Sequence, residues 1–154
     1  MANAPLRLAD HMDASRVVDL VATTKVAALE ELVRAAASSP DVADGEALLA
    51  AVRDRENLLS TGIGLGIAIP HARIAGVSSF VVAVGRHAAG LPFDSIDNKP
   101  VHIVVLIAGP QDAKKPYLEL LAQISKRLKL EDVRQRILAA PTAQDVVDLL
   151  TQLA

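Results

Sequence analysis

Residues 61–74 read TGIGLGIAIPHARI: glycines at alternate positions, then an apolar run that closes on Pro70-His71. A dinucleotide-binding loop needs the spacing G-x-G-x-x-G and, directly behind it, a helix whose N-terminal N–H groups receive the phosphates. Gly62, Gly64 and Gly66 are instead spaced G-x-G-x-G, and β-favouring Ile67-Ala68-Ile69 and then Pro70 stand where that helix would begin. No Walker lysine follows the glycines. The stretch therefore predicts a tight loop and a short strand that delivers His71. Glycine tolerates positive φ and close backbone approach, and N–H groups left free by such a loop can form an anion-binding nest.

On the N-terminal side, Thr24 is placed to cap a helix running to about Ala37, with Val26, Leu29, Val33 and Ala36 as its apolar stripe. After the turn SSPDVADG a second helix is expected over about Glu46 to Arg55. Ser79–Gly85 (SFVVAVG) and Val101–Ala108 (VHIVVLIA) are apolar at consecutive positions. Runs of this kind read as strands buried on both faces, central in a sheet with helices on each side. GLPFDSIDNKP between them is rich in turn formers. Tyr117, Leu121, Ile124 and Leu128 keep helical spacing, as do Val146, Leu149, Leu150 and Leu153; a shorter helix over about Val133 to Ala139 ends before Pro141. Helices first, strands in the middle and helices last predict one α/β domain over residues 1–154, with 1–12 expected to be mobile. Strand order and direction stay open.

The 154 residues can bury roughly two-thirds of their unfolded surface, and with 51% apolar but 2% aromatic residues the core must be built from Ala, Val, Leu and Ile. A net charge of −2 offers no broad basic field for nucleic acid. The absence of cysteine excludes disulfides, thiolate metal sites and a cysteine nucleophile, and fits a cytoplasmic protein. MANAPLRLADHMD holds no apolar segment of signal-peptide length. The longest apolar run, Val101–Ala108, falls far short of the roughly 20 residues that cross a bilayer, so no membrane insertion is expected.

His71 admits two readings. A neutral imidazole, with a reference pKa of about 6.5, is a good nucleophile near pH 7 and can take up and release a phosphoryl group. Such a site needs cations and N–H donors around the transferred oxygens; Arg53 and Arg55 lie shortly upstream, and an arginine fork suits phosphate. Yet an isolated histidine after a strand is more often a hydrogen-bonded structural residue than a catalyst. His102, inside an apolar run, reads as structural, His87 as lying in a loop or at a strand end, and His11 as part of the mobile segment. No pair has the spacing H-x-x-x-H or H-E-x-x-H, so neither metal nor cofactor is expected. Asp94 and Asp97 read as turn residues, and Lys126, Arg127 and Lys129 as a solvated helix face.

Arg55-Glu56 followed by STGIGLGIAIPHA resembles the phosphorylation-site signature of the fructose/mannitol-type enzyme IIA domains of the bacterial phosphoenolpyruvate-dependent phosphotransferase system, the nitrogen-branch enzyme IIA included. VVDLVATTKVAALEELV, GLPFDSIDNKPVHIVVLIAGP and YLELLAQISKRL resemble the family in the same order, so that the likeness spans about Leu6 to Leu153. The resemblance implies a mixed central β-sheet flanked by helices. It makes His71 the phosphoryl acceptor from HPr or its nitrogen-branch counterpart, and an enzyme IIB or a regulated target the next partner. Arg55 becomes the phosphate-stabilising cation, and Thr61, Gly62, Gly64 and Gly66 the wall of the site. One departure stands out: where the family usually has a second histidine, KKPYLELL places Tyr117, which can donate a hydrogen bond but cannot become a cation.

Two functions from different classes follow. In the first, His71 passes a phosphoryl group onward. In the second, the chain is a regulatory binding protein in which a phosphate on His71, adding up to about two negative charges, only switches docking. A histidine-based hydrolase is the weakest idea, since the sequence offers no partnered nucleophile.

Overall fold

The computed structural model describes residues 6–152, which form, in chain order, β1 (Val17–Asp19), α1 (Lys25–Ala36), α2 (Gly45–Leu58), β2 (Gly62–Gly64), β3 (Ile67–Ala68), β4 (His71–Ile74), β5 (Val81–Leu91), β6 (Val101–Pro110), α3 (Lys114–Leu128), α4 (Glu131–Ala139) and α5 (Ala143–Thr151). Side chains alternate between the faces of a strand, and β6 is apolar on both. Ile103, Val105 and Ile107 belong to the core under α3, α4 and α5; Val104, Leu106 and Ala108 belong to the core under α1 and α2. Val82 and Val84 of β5 join the first, and Val81 and Ala83 the second. The consecutive apolar runs are therefore strands covered on both faces, as expected.

The sheet is mixed, in the order β1-β5-β6-β3-β2, with β4 also on β6. β5 and β6 are antiparallel; β1 runs parallel to β5, and β3 and β4 run parallel to β6. β3 and β4 share one edge of β6, at Ile67↔Ile103 and at His71↔Ile107, with Ile69 and Pro70 between them. Pro70 has no N–H for the ladder, so the strand is broken just before His71.

The first two helices start at side-chain caps. Thr24 accepts the N–H of Ala27, and Asp44 accepts those of Glu46 and Ala47. α2 runs one turn past the expected end, which puts Arg55 and Glu56 in its last turn. Two stripes differ in detail from the pattern. Val26 is 53% exposed while Ala28 and Leu32 face the core, and Leu120 rather than Leu121 is buried in α3. A 3-10 turn spans Leu8–His11, with Leu8 buried, the Leu8 N–H donating to Gln123 and His11 Nδ1 donating to the Phe80 carbonyl. Leu153 lies outside the described residues.

Candidate functional site

His71 is fixed from both sides of the break. The Ile69 N–H donates to Thr61 and the Ile107 N–H donates to the Pro70 carbonyl, each at 3.0 Å. The half-buried imidazole lines a cleft of ≈ 860 Å³ between the end of α2, the β2 hairpin and α3. Its Nδ1 lies 3.2 Å from the Ile69 carbonyl. A carbonyl only accepts, so Nδ1 carries the proton and Nε2 keeps its lone pair. Burial pushes the imidazole pKa below its ordinary value; the Ile69 hydrogen bond opposes that shift, Arg55 and Arg73 reinforce it, and Glu56 opposes it. The ring is a neutral base at pH 7.

Tyr117, in the first turns of α3, is buried with its ring centroid 4.8 Å from that of His71 at an interplanar angle of 35°. Burial raises its pKa, against the opposing pull of Arg55 and Arg73, so its hydroxyl stays protonated. Arg55 lines the same cleft and is anchored by a 2.7 Å hydrogen bond from Nη1 to the Leu59 carbonyl. Arg53 is elsewhere: two residues apart on a helix means nearly opposite faces, and its guanidinium pairs with Glu30. The nearby arginine is Arg55 alone of the two.

The glycine loop is divided. Thr61 and Gly62 line the cleft. Gly62 is required by close approach, since a Cβ there would meet Ser95 Oγ at 2.7 Å. Gly64, the last residue of β2, and Gly66, with φ of +89° and +76°, shape instead the tight connection from β2 to β3. Nor does the loop offer an open nest of N–H groups. Glu56 accepts from Thr61, Ser60 Oγ from Gly62, and Ser95 Oγ from Gly64. The N–H groups of Thr61, Gly62 and Gly64 are thus taken by side chains of the protein itself.

Two groups escaped the sequence reading. Glu56 is 4% exposed, and its carboxylate takes the Thr61 N–H, the Thr61 hydroxyl and, at 3.0 Å, the Lys25 ammonium. It ties α1, α2 and the start of the glycine loop together, and only the tertiary fold brings Lys25 to it. Arg73 shares a strand face with His71, two residues on, and its guanidinium carbon lies 5.9 Å from the Tyr117 ring centroid. The period-2 alternation of a strand after Pro70 was the available signal.

The remaining predicted residues serve structure. His102 Nδ1 donates to the His87 carbonyl at 3.0 Å and His87 Nε2 to Ala22 at 2.8 Å. Asp97 accepts the Lys99 N–H, and Asp94, at φ 54°, sits 3.7 Å from Lys25. Lys126 and Lys129 are exposed, but Arg127 is half-buried with Nε donating to the Leu149 carbonyl, so the cluster is only partly a solvated face. Around the cleft mouth, Leu59, Ile63, Ile96 and Leu118 are all exposed apolar side chains. Among the described residues no helix is long and apolar enough to cross a membrane.

A neutral histidine beside arginines and an apolar rim, on a mixed α/β domain, is an arrangement suited to carrying a phosphoryl group between proteins. The family can be given outright: residues 12–153 match the model of the phosphoenolpyruvate-dependent sugar phosphotransferase system EIIA 2 family, and the chain belongs to it as a phosphotransferase component. It is 38% identical over 130 residues to the fructose-specific EIIA component of Haloferax volcanii, covering 84% of each chain. Its fold matches the crystal structure of the nitrogen regulatory protein IIA-Ntr from Neisseria meningitidis with a TM-score of 0.87 at 27% identity, over 94% of this chain and 99% of that one. The mannitol enzyme IIA of Escherichia coli, solved in complex with phosphorylated enzyme IIB, shares the fold at 22% identity, with a TM-score of 0.77 over 90% of this chain and 96% of that one. Relatives thus serve both sugar-specific and nitrogen-regulatory roles.

Proposed function

We propose that His71 Nε2 accepts a phosphoryl group from HPr or a nitrogen-branch HPr homologue in the cytoplasm and hands it to an enzyme IIB. The observation that carries this is the Nδ1 hydrogen bond to Ile69, which leaves Nε2 unprotonated inside a cleft that also holds Arg55. In the transfer, the Nε2 lone pair forms the new N–P bond as the phosphorus–nitrogen bond on the carrier breaks, its electron pair returning to the carrier's ring. The Nδ1 proton stays in place, so the product is an imidazolium bearing a phosphoryl dianion, with its positive charge next to the oxygens. Arg55 stabilises charge on those oxygens, the main demand of phosphoryl transfer. Leu59, Ile63, Ile96 and Leu118 give carrier and acceptor proteins a modest apolar surface on which to dock in turn. An enzyme IIB as the acceptor is supported by the mannitol relative, whose structure is that of a complex with phosphorylated enzyme IIB.

The test is incubation with phosphoenolpyruvate, enzyme I and HPr, read by intact mass. One acid-labile phosphoryl group, absent in His71→Ala, is expected; no label, or label indifferent to that substitution, rejects the proposal. A specific feature favours a second reading: where the family usually has another imidazole, the ring 4.8 Å from His71 is a phenol. If onward transfer is lost with it, the phosphate acts as a docking switch. Label that forms but cannot be chased onto enzyme IIB supports that outcome.

A further inference from the structure

The strand that carries His71 also carries a second cation toward the same ring. Ala72 points into the core under α1 and α2, so His71 and Arg73, its neighbours on β4, share the opposite face. Tyr117 touches both, with the His71 ring centroid at 4.8 Å and the Arg73 guanidinium carbon at 5.9 Å from its own. An arginine at this distance from a tyrosine face is attracted by the ring quadrupole. Arg73 is also tethered at one end, Nη1 donating to the Gln111 carbonyl at 3.2 Å. Among the described residues its other N–H donors have no partner, and the side chain is half-buried. A guanidinium presents five N–H donors in a planar fork, so four remain for an anion.

We propose that Arg73, held against the Tyr117 ring, is the second phosphate-binding cation of the site, so that the positive charge beside phosphorylated His71 comes from β4 rather than from a basic residue on α3. Tyr117 is then a positioning residue. Its phenol stays neutral and its ring sets the angle of the guanidinium, while Arg55 approaches from α2. The two arginines come from different elements, Arg55 from α2 and Arg73 from β4, and two forks suit a dianion with three oxygens better than one. The influence of Arg73 on the acidity of His71 is in the same direction as that of Arg55.

This rests on His71 being the phosphoacceptor, and the experiment separates the two. Transfer from phosphorylated HPr is followed in the intact protein and in Arg73→Gln, Arg73→Lys, Tyr117→His and the double variant Arg73→Gln with Tyr117→His. His71 is titrated in each by NMR, and thermal unfolding checks the fold. Arg73→Gln is expected to slow transfer about ten- to a hundredfold, the scale of one charge-assisted hydrogen bond lost from a transition state, and to raise the His71 pKa. Arg73→Lys, which keeps the charge without the fork, is expected to fall between. Tyr117→His is expected to rescue the Arg73→Gln variant by supplying a cation from α3. Unchanged transfer and titration in a folded Arg73→Gln protein overturn the proposal, and so does a double variant no faster than the single one. An intact protein that takes no label overturns the phosphoacceptor reading and this proposal with it.

Discussion

His71 on β4 and His102 on β6 lie on paired strands and make the same kind of hydrogen bond. Each is half-buried, and each donates Nδ1–H to a backbone carbonyl, Ile69 at 3.2 Å for one and His87 at 3.0 Å for the other. They differ in what meets the other nitrogen. At His102, Nε2 faces the backbone of Gly90, close enough that a Cβ there would lie 3.3 Å from it. At His71 the ring opens on a cleft with Arg55, and Arg73 lies across Tyr117. Fixing the tautomer is thus common to a structural histidine and a candidate nucleophile. The distinguishing features are open space at Nε2 and, among the described residues, nearby arginines that form no ion pair with a carboxylate.

The sharpest way to break this comparison is to remove each ring in turn. His71→Ala is expected to abolish acid-labile labelling entirely while leaving the fold intact. His102→Ala is expected to keep labelling and to lower stability by about 1–2 kcal/mol, the cost of a lost internal hydrogen bond and some packing, read by urea unfolding. Labelling that survives the first substitution, or vanishes in a folded protein carrying the second, would reverse the assignment.

Next in size is Glu56. Its carboxylate is 4% exposed and holds Lys25 and Thr61, so Glu56→Ala leaves a largely buried ammonium and an unmatched Thr61 N–H. A loss of about 3 kcal/mol is expected, at the low end for a broken buried pair because Lys25 keeps partial access to water and to Asp94. Labelling should slow as well, since the start of the glycine loop is untied. At the other end, Gly90→Ala puts a Cβ 2.8 Å from Pro100 at a residue with φ of +92°. About 1–3 kcal/mol of stability should go, with the labelling rate unchanged. The pair of variants asks whether disturbance near His71 and disturbance near His102 have different consequences for transfer, as the comparison requires.

Much of the architecture was written in the pattern of apolar residues. β5 and β6 could be recognised because both faces are covered, and Thr24 marks the start of α1 because its hydroxyl has a backbone partner three residues on. β1 could not, since three residues, Val17–Asp19, carry no usable period. At the site, the family resemblance pointed to His71, Arg55 and Tyr117 together; spacing alone did not, because they come from β4, α2 and α3. Glycine spacing misled in one respect. Gly64 and Gly66 record what the backbone of a turn needs rather than where a ligand sits. Glu56 with Lys25 was out of reach, because 31 residues and two helices separate them.

The smallest effect is in the dependence of stability on pH. The folded His71 imidazole is held below its ordinary value, chiefly by burial, whereas in the unfolded chain it takes a proton near the reference value of about 6.5. Between those two values the unfolded chain binds more protons than the folded one, so this group's contribution to stability rises with pH. It is fully present above about 6.5 and is lost as pH falls toward the folded value. Below both, it stops changing. The melting temperature of the intact protein should therefore fall, relative to that of His71→Gln, as pH is lowered through this window. Arg55→Gln removes one of the cations that depress the imidazole, so the window should narrow while its upper edge stays in place. A gap between intact protein and His71→Gln that stays constant with pH, or that moves the other way, would mean that His71 is no more hindered from taking a proton in the fold than in the open chain, and that its burial does not hold the ring neutral.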